Sequence, residues 1–147
     1  MINTVTSTAA KSFVISLILY LIQYIIGVYF MGEFMRSNLL NILITLMAIN
    51  TATVAVILSK LYEISKQYNQ RINDVFKSTK AQLLLSVREQ VTLIGAALIL
   101  SILSKKNTWS FEPVLINAGL EILLSTVFIY SLFILYDTAV AVLEFYE

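Results

Sequence analysis

The chain has 147 residues, of which 59% are hydrophobic and only 13% charged, and its formal net charge at pH 7 is +1. Soluble domains usually carry about 25% charged residues, so this composition excludes an ordinary soluble domain. The sequence contains neither Cys nor His. Thiol nucleophiles, disulfides and the commonest metal ligands are therefore excluded as well.

Four continuous apolar stretches follow one another along the chain. They lie at about residues 12–31, 38–59, 83–104 and 113–135. Each reaches the roughly 20 residues with which a helix crosses a hydrocarbon core. We predict an all-α membrane protein, a single domain built as a bundle of four transmembrane helices. Gly32 is expected to close the first helix and Pro113 to begin the fourth.

The basic residues predict how the chain is oriented. In a four-span chain, one side of the membrane holds both termini and the middle segment. That side has Lys11, Lys60, Lys66, Arg71, Lys77, Lys80 and Arg88. The other side has Arg36, Lys105 and Lys106. Because basic residues concentrate on the cytoplasmic side, we expect both termini in the cytoplasm.

The middle segment, residues 60–82, has an apolar stripe at helical spacing. Its members are Leu61, Ile64, Tyr68, Ile72 and Val75. This spacing predicts a cytoplasmic helical hairpin that extends spans two and three. Its turn lies either at Asn69–Asp74, which we prefer, or at Lys77–Thr79. The fourth span is expected to continue as a helix over residues 136–147.

Two interpretations of the hairpin remain open. In the first, it is a solvated connector whose basic side chains contact anionic headgroups. In the second, it docks a cytosolic protein or a neighbouring subunit through Lys66, Arg71, Lys77 and Lys80. Direct nucleic-acid binding is not expected, because acidic residues offset these charges and no recognition motif is present.

Several polar residues lie within the predicted spans. Glu121 is a carboxylate deep in span four, and ionisable residues at such depth usually face a bundle interior or a water path. With Gln23, Asn50 and Asn117 it forms a predicted polar cluster, within one subunit or between subunits, which serves either interhelical hydrogen bonding or an ion path. At the cytoplasmic boundary, Arg88 and Asp137 are expected to form an ion pair.

The sequence shows no motif for nucleotide, metal or nucleophilic chemistry. We therefore predict no catalytic residue, no cofactor and no metal site, and a protein that is not an enzyme.

The order of parts also resembles a known group of proteins. Val54-Ala55-Val56-Ile57-Leu58 leads directly into the charged segment, and Phe133-Ile134-Leu135-Tyr136 leads into an acidic tail. This layout resembles small four-span membrane proteins of bacterial phage defence, of the Kiwa membrane-subunit and RexB-like kinds. The resemblance implies a homo-oligomer in the bacterial inner membrane that anchors a cytosolic effector or leaks ions.

Two hypotheses of function follow. The leading one is a non-enzymatic membrane subunit that oligomerises in the lipid bilayer and anchors or signals to a cytosolic effector through the basic hairpin. The alternative is an ion-conducting channel or small transporter that uses the polar cluster around Glu121.

Overall fold

A computed structural model describes residues 2–28, 30–67, 76–105 and 113–144. This part of the chain forms four α-helices. They are α1 (Ile2–Ile26), α2 (Phe30–Gln67), α3 (Lys77–Lys105) and α4 (Pro113–Glu144). Each is long and apolar enough to cross a membrane. The predicted all-α fold with four candidate membrane spans is therefore confirmed.

The fourth helix is the centre of the bundle. It packs against α1, α2 and α3, whereas α2 and α3 also pack against each other. In the apolar 18-residue stretch by which α4 could cross a membrane, 44% of the residues are buried. In the corresponding stretch of α1 the buried share is 11%. The bundle is thus a three-helix core of α2, α3 and α4, with α1 attached mainly to α4.

Small hydroxyl side chains line the buried face of α1. Ser12 and Ser16 have almost no exposed surface. Their hydroxyls donate hydrogen bonds to the carbonyl oxygens of Thr8 and Ser12, each at 2.8 Å. Because these polar groups are satisfied within α1 and are small, the backbone of α1 can approach α4 closely.

The turn between α1 and α2 is shorter and earlier than predicted. Gly27 has a φ of +74°. Its amide donates to the Tyr24 carbonyl at 3.3 Å, and the Val28 amide donates to the Gln23 carbonyl at 3.1 Å. These two bonds form a Schellman motif, in which a left-handed glycine ends a helix. Gly32 is helical instead, so the predicted first span and its closing glycine are corrected.

The second helix is longer than a membrane is thick. Its 38 residues extend about 57 Å, against roughly 30 Å for a hydrocarbon core. One face of α2 is buried along nearly this whole length. The buried residues are Gly32, Met35, Leu39, Leu43, Asn50, Val54, Ile57, Leu61 and Ser65. The predicted continuation of span two as a helix is confirmed as far as Gln67.

Two apolar clusters fill the three-helix core. The outer cluster consists of Met35, Leu39, Leu43, Ala97, Leu124 and Val127. The inner cluster consists of Val54, Ile57, Leu61 and Leu83, with the half-buried Leu58, Phe76, Val87 and Val142 packed against them. Because residues of α2 and α3 form the inner cluster and Val142 of α4 packs against it, these three helices are still in contact where α2 extends beyond membrane length.

The other helix ends agree only in part with those predicted from the sequence. Pro113 begins α4, which continues unbroken to Glu144, while residues 145–147 lie outside the described part. Helix α3 begins at Lys77, and the Lys80 amide donates to the Phe76 carbonyl at 2.9 Å. The alternative turn at Lys77–Thr79 is therefore wrong, and the preferred turn at Asn69–Asp74 lies outside the described residues.

The orientation can be tested with single cysteines, because the chain has none of its own. We expect Gln67→Cys and Ser78→Cys to react with a membrane-impermeant maleimide from the cytoplasmic side. Val28→Cys, at the opposite end of α2, should react from the other side. All three positions are exposed. Labelling of intact spheroplasts and inside-out vesicles checks this, and labelling of Val28→Cys and Gln67→Cys from one side would contradict it.

Candidate functional site

A charged pair joins α2 and α4 near the first residues of both helices. Arg36 Nη2 lies 3.3 Å from Glu121 Oε1, and the two side chains are 34% and 17% exposed. At helical rise, Arg36 is about 9 Å from the start of α2 and Glu121 about 12 Å from the start of α4. An ionised group within a bilayer is expensive unless it is paired. This outer pair therefore keeps both charges compensated inside the bundle.

Gly32 provides the space for this pair. It lies one helical turn before Arg36, on the same face of α2. A Cβ atom at Gly32 would overlap Oε1 and Cδ of Glu121 and would lie 2.8 Å from its Cγ. The carboxylate thus lies directly against the backbone of α2. The absence of a side chain at Gly32, and not the backbone freedom of glycine, makes room for the Glu121 carboxylate.

Sequence reasoning singled out Glu121 but missed both of its neighbours, because Gly32 and Arg36 lie between the first two predicted spans, residues 12–31 and 38–59. Two signals were available. Gly32 and Arg36 are four positions apart, which places them on one face of a helix. A lone carboxylate within a span also requires a cation in reach.

A second polar contact joins α2 and α3. Asn50 Nδ2 donates to Gln90 Oε1 at 3.0 Å and lies 3.4 Å from Ser86 Oγ. Asn50 is 0% exposed and Gln90 3%. Interhelical hydrogen bonds of this kind fix one membrane helix against another. Ser86 and Gln90 were not predicted as site residues, although their spacing of four on α3 is a signal for a shared face.

The predicted cluster of four polar residues is divided in the structure. Asn50 lies about 14 residues from Arg36, or roughly 21 Å along α2. Leu39, Leu43 and Leu124 of the outer cluster, each at most 2% exposed, lie between these two levels. Asn50 and Glu121 therefore belong to separate contacts, and the prediction of one cluster within a single chain is corrected.

Gln23 and Asn117 have other positions. Gln23 Oε1 accepts a hydrogen bond of 2.8 Å from the Met31 amide. This amide belongs to the first turn of α2, where backbone donors have no partner within the helix. Gln23 thus caps α2. The side chain of Asn117 is exposed. The predicted position of Gln23 in the cluster was wrong because α1 ends, and α2 begins, several residues earlier than predicted.

The predicted ion pair of Arg88 and Asp137 is also corrected. Both side chains are exposed, and no salt bridge joins them in the described structure. Glu89, and not Arg88, lies near Asp137 of α4. It lies close enough to Tyr130 and Asp137 to interact electrostatically with both. Neighbouring helix residues point about 100° apart, so Arg88 and Glu89 cannot both face α4.

Basic side chains are gathered where α2 ends and α3 begins. Lys66 and Lys77 are exposed, and Lys80 is half-buried. None of these three takes part in a salt bridge within the described ranges. Lys60, by contrast, lies 2.9 Å from Glu63. Arg71, the fourth predicted docking residue, falls in the segment 68–75, outside the described residues.

Replacement of Gly32 by Ala should destabilise the bundle by about 1–3 kcal/mol, because the added methyl group displaces the Glu121 carboxylate from its place. Gly95→Ala is the matched control. Gly95 is also helical, but no atom lies within 4 Å of its Cβ position. There we expect no loss, or a gain of up to about 1 kcal/mol from helix propensity.

The free energy of unfolding, measured by denaturant titration in mixed micelles, distinguishes these outcomes. In a Glu121→Ala background the Gly32→Ala penalty should shrink, since the overlapping atoms are gone. Equal penalties in both backgrounds would show that the contact with Glu121 is not the cause.

No family model matches the chain, and neither a curated protein nor a solved structure matches it. A proposal of function therefore depends on the chain's own geometry.

Proposed function

We propose that this protein is a non-enzymatic, oligomeric membrane subunit that anchors a cytosolic effector at the inner ends of α2 and α3. One observation carries the proposal: helices α2, α3 and α4 stay packed together beyond the length that a membrane requires, and Lys66, Lys77 and Lys80 lie at that end without a salt bridge to any described residue. The bacterial inner membrane and a role in phage defence are part of the proposal on the architectural resemblance alone.

The packing of the inner end favours a docking platform over a passive connector. Leu61 is 1% exposed, Leu83 5% and Ser65 6%. Phe76 and Val142 pack against this cluster from the start of α3 and from α4. A simple connector between spans does not need a buried core. A surface that is already ordered loses less conformational entropy when a partner binds.

The charges indicate the chemistry of the partner. Lys66, Lys77 and Lys80 lie at the same end of the bundle, with no carboxylate bound to them in the described structure. Such a surface is complementary to an acidic surface and increases the rate of encounter with it. Arg71 is included in the proposed docking set because it lies between α2 and α3 in the sequence.

The contacts support anchoring more than conduction through a single chain. Glu121 is bound by Arg36, and Asn50 Nδ2 donates to Gln90, so both residues are held by contacts within the chain. The outer cluster separates the two levels with side chains that are almost completely buried. The alternative of a channel then requires a path between subunits.

Charge reversal tests the docking proposal. Lys66→Glu together with Lys77→Glu should reduce the amount of co-purified effector at least tenfold, because two attractive charges become repulsive. The matched control is Lys105→Glu, at the other end of α3, with Lys106→Glu next to it in the sequence, which should leave the effector bound. Affinity purification in mild detergent, with masses measured under native conditions, reports the effector and the number of subunits together.

Three outcomes would count against the proposal. Undiminished effector in the Lys66 and Lys77 variant would contradict docking at this end. Loss of bound anionic lipid alone would favour the connector interpretation. Ion flux in liposomes that falls on Glu121→Gln would favour the channel alternative.

A further inference from the structure

The longest uncharged stretches of α1, α3 and α4 have the same length. They contain no Asp, Glu, Lys or Arg, and we call them the uncharged belt: residues 12–26, 90–104 and 122–136. The residues that flank each stretch are about 16 positions apart, which corresponds to roughly 24 Å at helical rise. A typical hydrocarbon core is about 30 Å thick. The belt is therefore shorter than the membrane that these helices are expected to cross.

Three exposed charges mark one boundary of the belt. Lys11, Arg88 and Asp137 follow its ends on α1, α3 and α4, and all three are exposed. They lie at similar levels, because Glu89 is near Asp137 and Thr8, one turn from Lys11, lines the same cavity as both carboxylates.

Asp137 fixes the position of this boundary most closely. Long basic side chains can extend from within the hydrocarbon to the interface. The side chain of aspartate is too short for this, and an exposed carboxylate within hydrocarbon is expensive. Water or headgroups must therefore begin near Asp137.

The turn between α1 and α2 marks the other boundary. Gly27 and Val28 are exposed and not helical. Irregular backbone that faces lipid does not occur within the hydrocarbon, because its polar groups would have no partner there. Gln23 joins this turn to the start of α2 through the Met31 amide. The belt on α1 therefore cannot be extended in this direction.

The contacts of α2 place it in the same frame. Asn50 bonds to Gln90, which is the first residue of the belt on α3. From this contact about 14 residues lead along α2 to Arg36, or roughly 21 Å, and about 15 lead along α3 to Lys105, or roughly 22 Å. The part of α2 after Asn50 thus lies beyond the belt, although it is uncharged as far as Ser59.

A longer belt would have Lys60 and Lys80 as its boundary. On α3 it would extend about 25 residues from Lys80 to Lys105, or roughly 38 Å, which exceeds a typical hydrocarbon core. It would also place the exposed Arg88 and Asp137 within the hydrocarbon. Neither of them forms a salt bridge to another described residue. The shorter belt avoids this cost.

We propose that the uncharged belt is matched to a thin bilayer, whose phospholipids have acyl chains shorter than eighteen carbons. A bilayer with longer chains must become thinner around the protein. Tilting of the bundle does not relieve this mismatch, because tilt shortens the belt further along the membrane normal. The proposal concerns the lipids around the helices and holds whether or not an effector binds.

The melting temperature in lipid nanodiscs tests the proposal. The probes are phosphatidylcholines with two monounsaturated chains of fourteen, sixteen, eighteen, twenty or twenty-two carbons. We expect the native protein to be most stable with fourteen or sixteen carbons and to become less stable with each longer chain. A maximum at eighteen carbons or more, or a melting temperature that does not depend on chain length, would overturn the proposal.

A pair of variants tests which charges set the boundary. Arg88→Leu together with Asp137→Leu removes one charge of each sign and should shift the most stabilising chain length upward by at least two carbons. The matched control, Lys60→Leu with Glu63→Leu, makes the same change at exposed positions of α2 beyond the belt. Its optimum should equal that of the native protein.

The comparison does not depend on equal stability of the variants. Each variant is compared with itself across the series of lipids, so a uniform loss of stability does not move its optimum. A shift in the Lys60 and Glu63 variant, with none in the Arg88 and Asp137 variant, would overturn the proposal in favour of the longer belt. If the Arg88 and Asp137 variant does not fold, the series with the native protein still decides.

Discussion

The buried face of α4 is the constraint on which the rest of this structure depends. Lipid chains are as apolar as leucine, so membrane helices associate through close packing and polar contacts and not through exclusion of water. Helix α4 contributes both kinds of contact. Leu124 lies in the outer cluster, Glu121 bonds to α2, and the buried Ser131 offers a small surface. Without α4, α1 would lose its principal partner.

Along α2 the contacts alternate between polar and apolar levels. The outer pair and the contact of Asn50 with Gln90 set the register of the helices, because a displaced helix would leave a charge or an amide unpaired. The apolar clusters between and beyond them supply the packing. The proposed anchoring places the end of α2 that exceeds membrane length in water, where burial of apolar side chains is again favourable, so Leu61 would pack there as in the core of a soluble bundle. The lysines at this end are thereby held on an ordered support.

Much of the fold could be predicted from the sequence, because apolar runs of membrane length and scarce helix breakers specify long helices. The ends were harder to predict. Gly27 and Gly32 both follow apolar runs, and hydropathy does not indicate which of them adopts a positive φ. Glu121 could be recognised as needing a partner, but its partner depends on how α2 crosses α4, a tertiary property. The gap between α1 and α3 likewise results from the way both helices pack on α4, which no local pattern encodes.

The central claim is that α2, α3 and α4 form one packed unit beyond membrane length, and hydrogen exchange in nanodiscs tests it most directly. We predict that amides of Val54–Gln67, Lys77–Leu85 and Thr138–Leu143 are protected together. Leu61→Ala, which removes about 2–5 kcal/mol of core packing, should accelerate exchange in all three segments. Val56→Ala, at an exposed position of the same helix, should not. Acceleration confined to α2, or inner ends that exchange as fast as free peptides, would contradict the account.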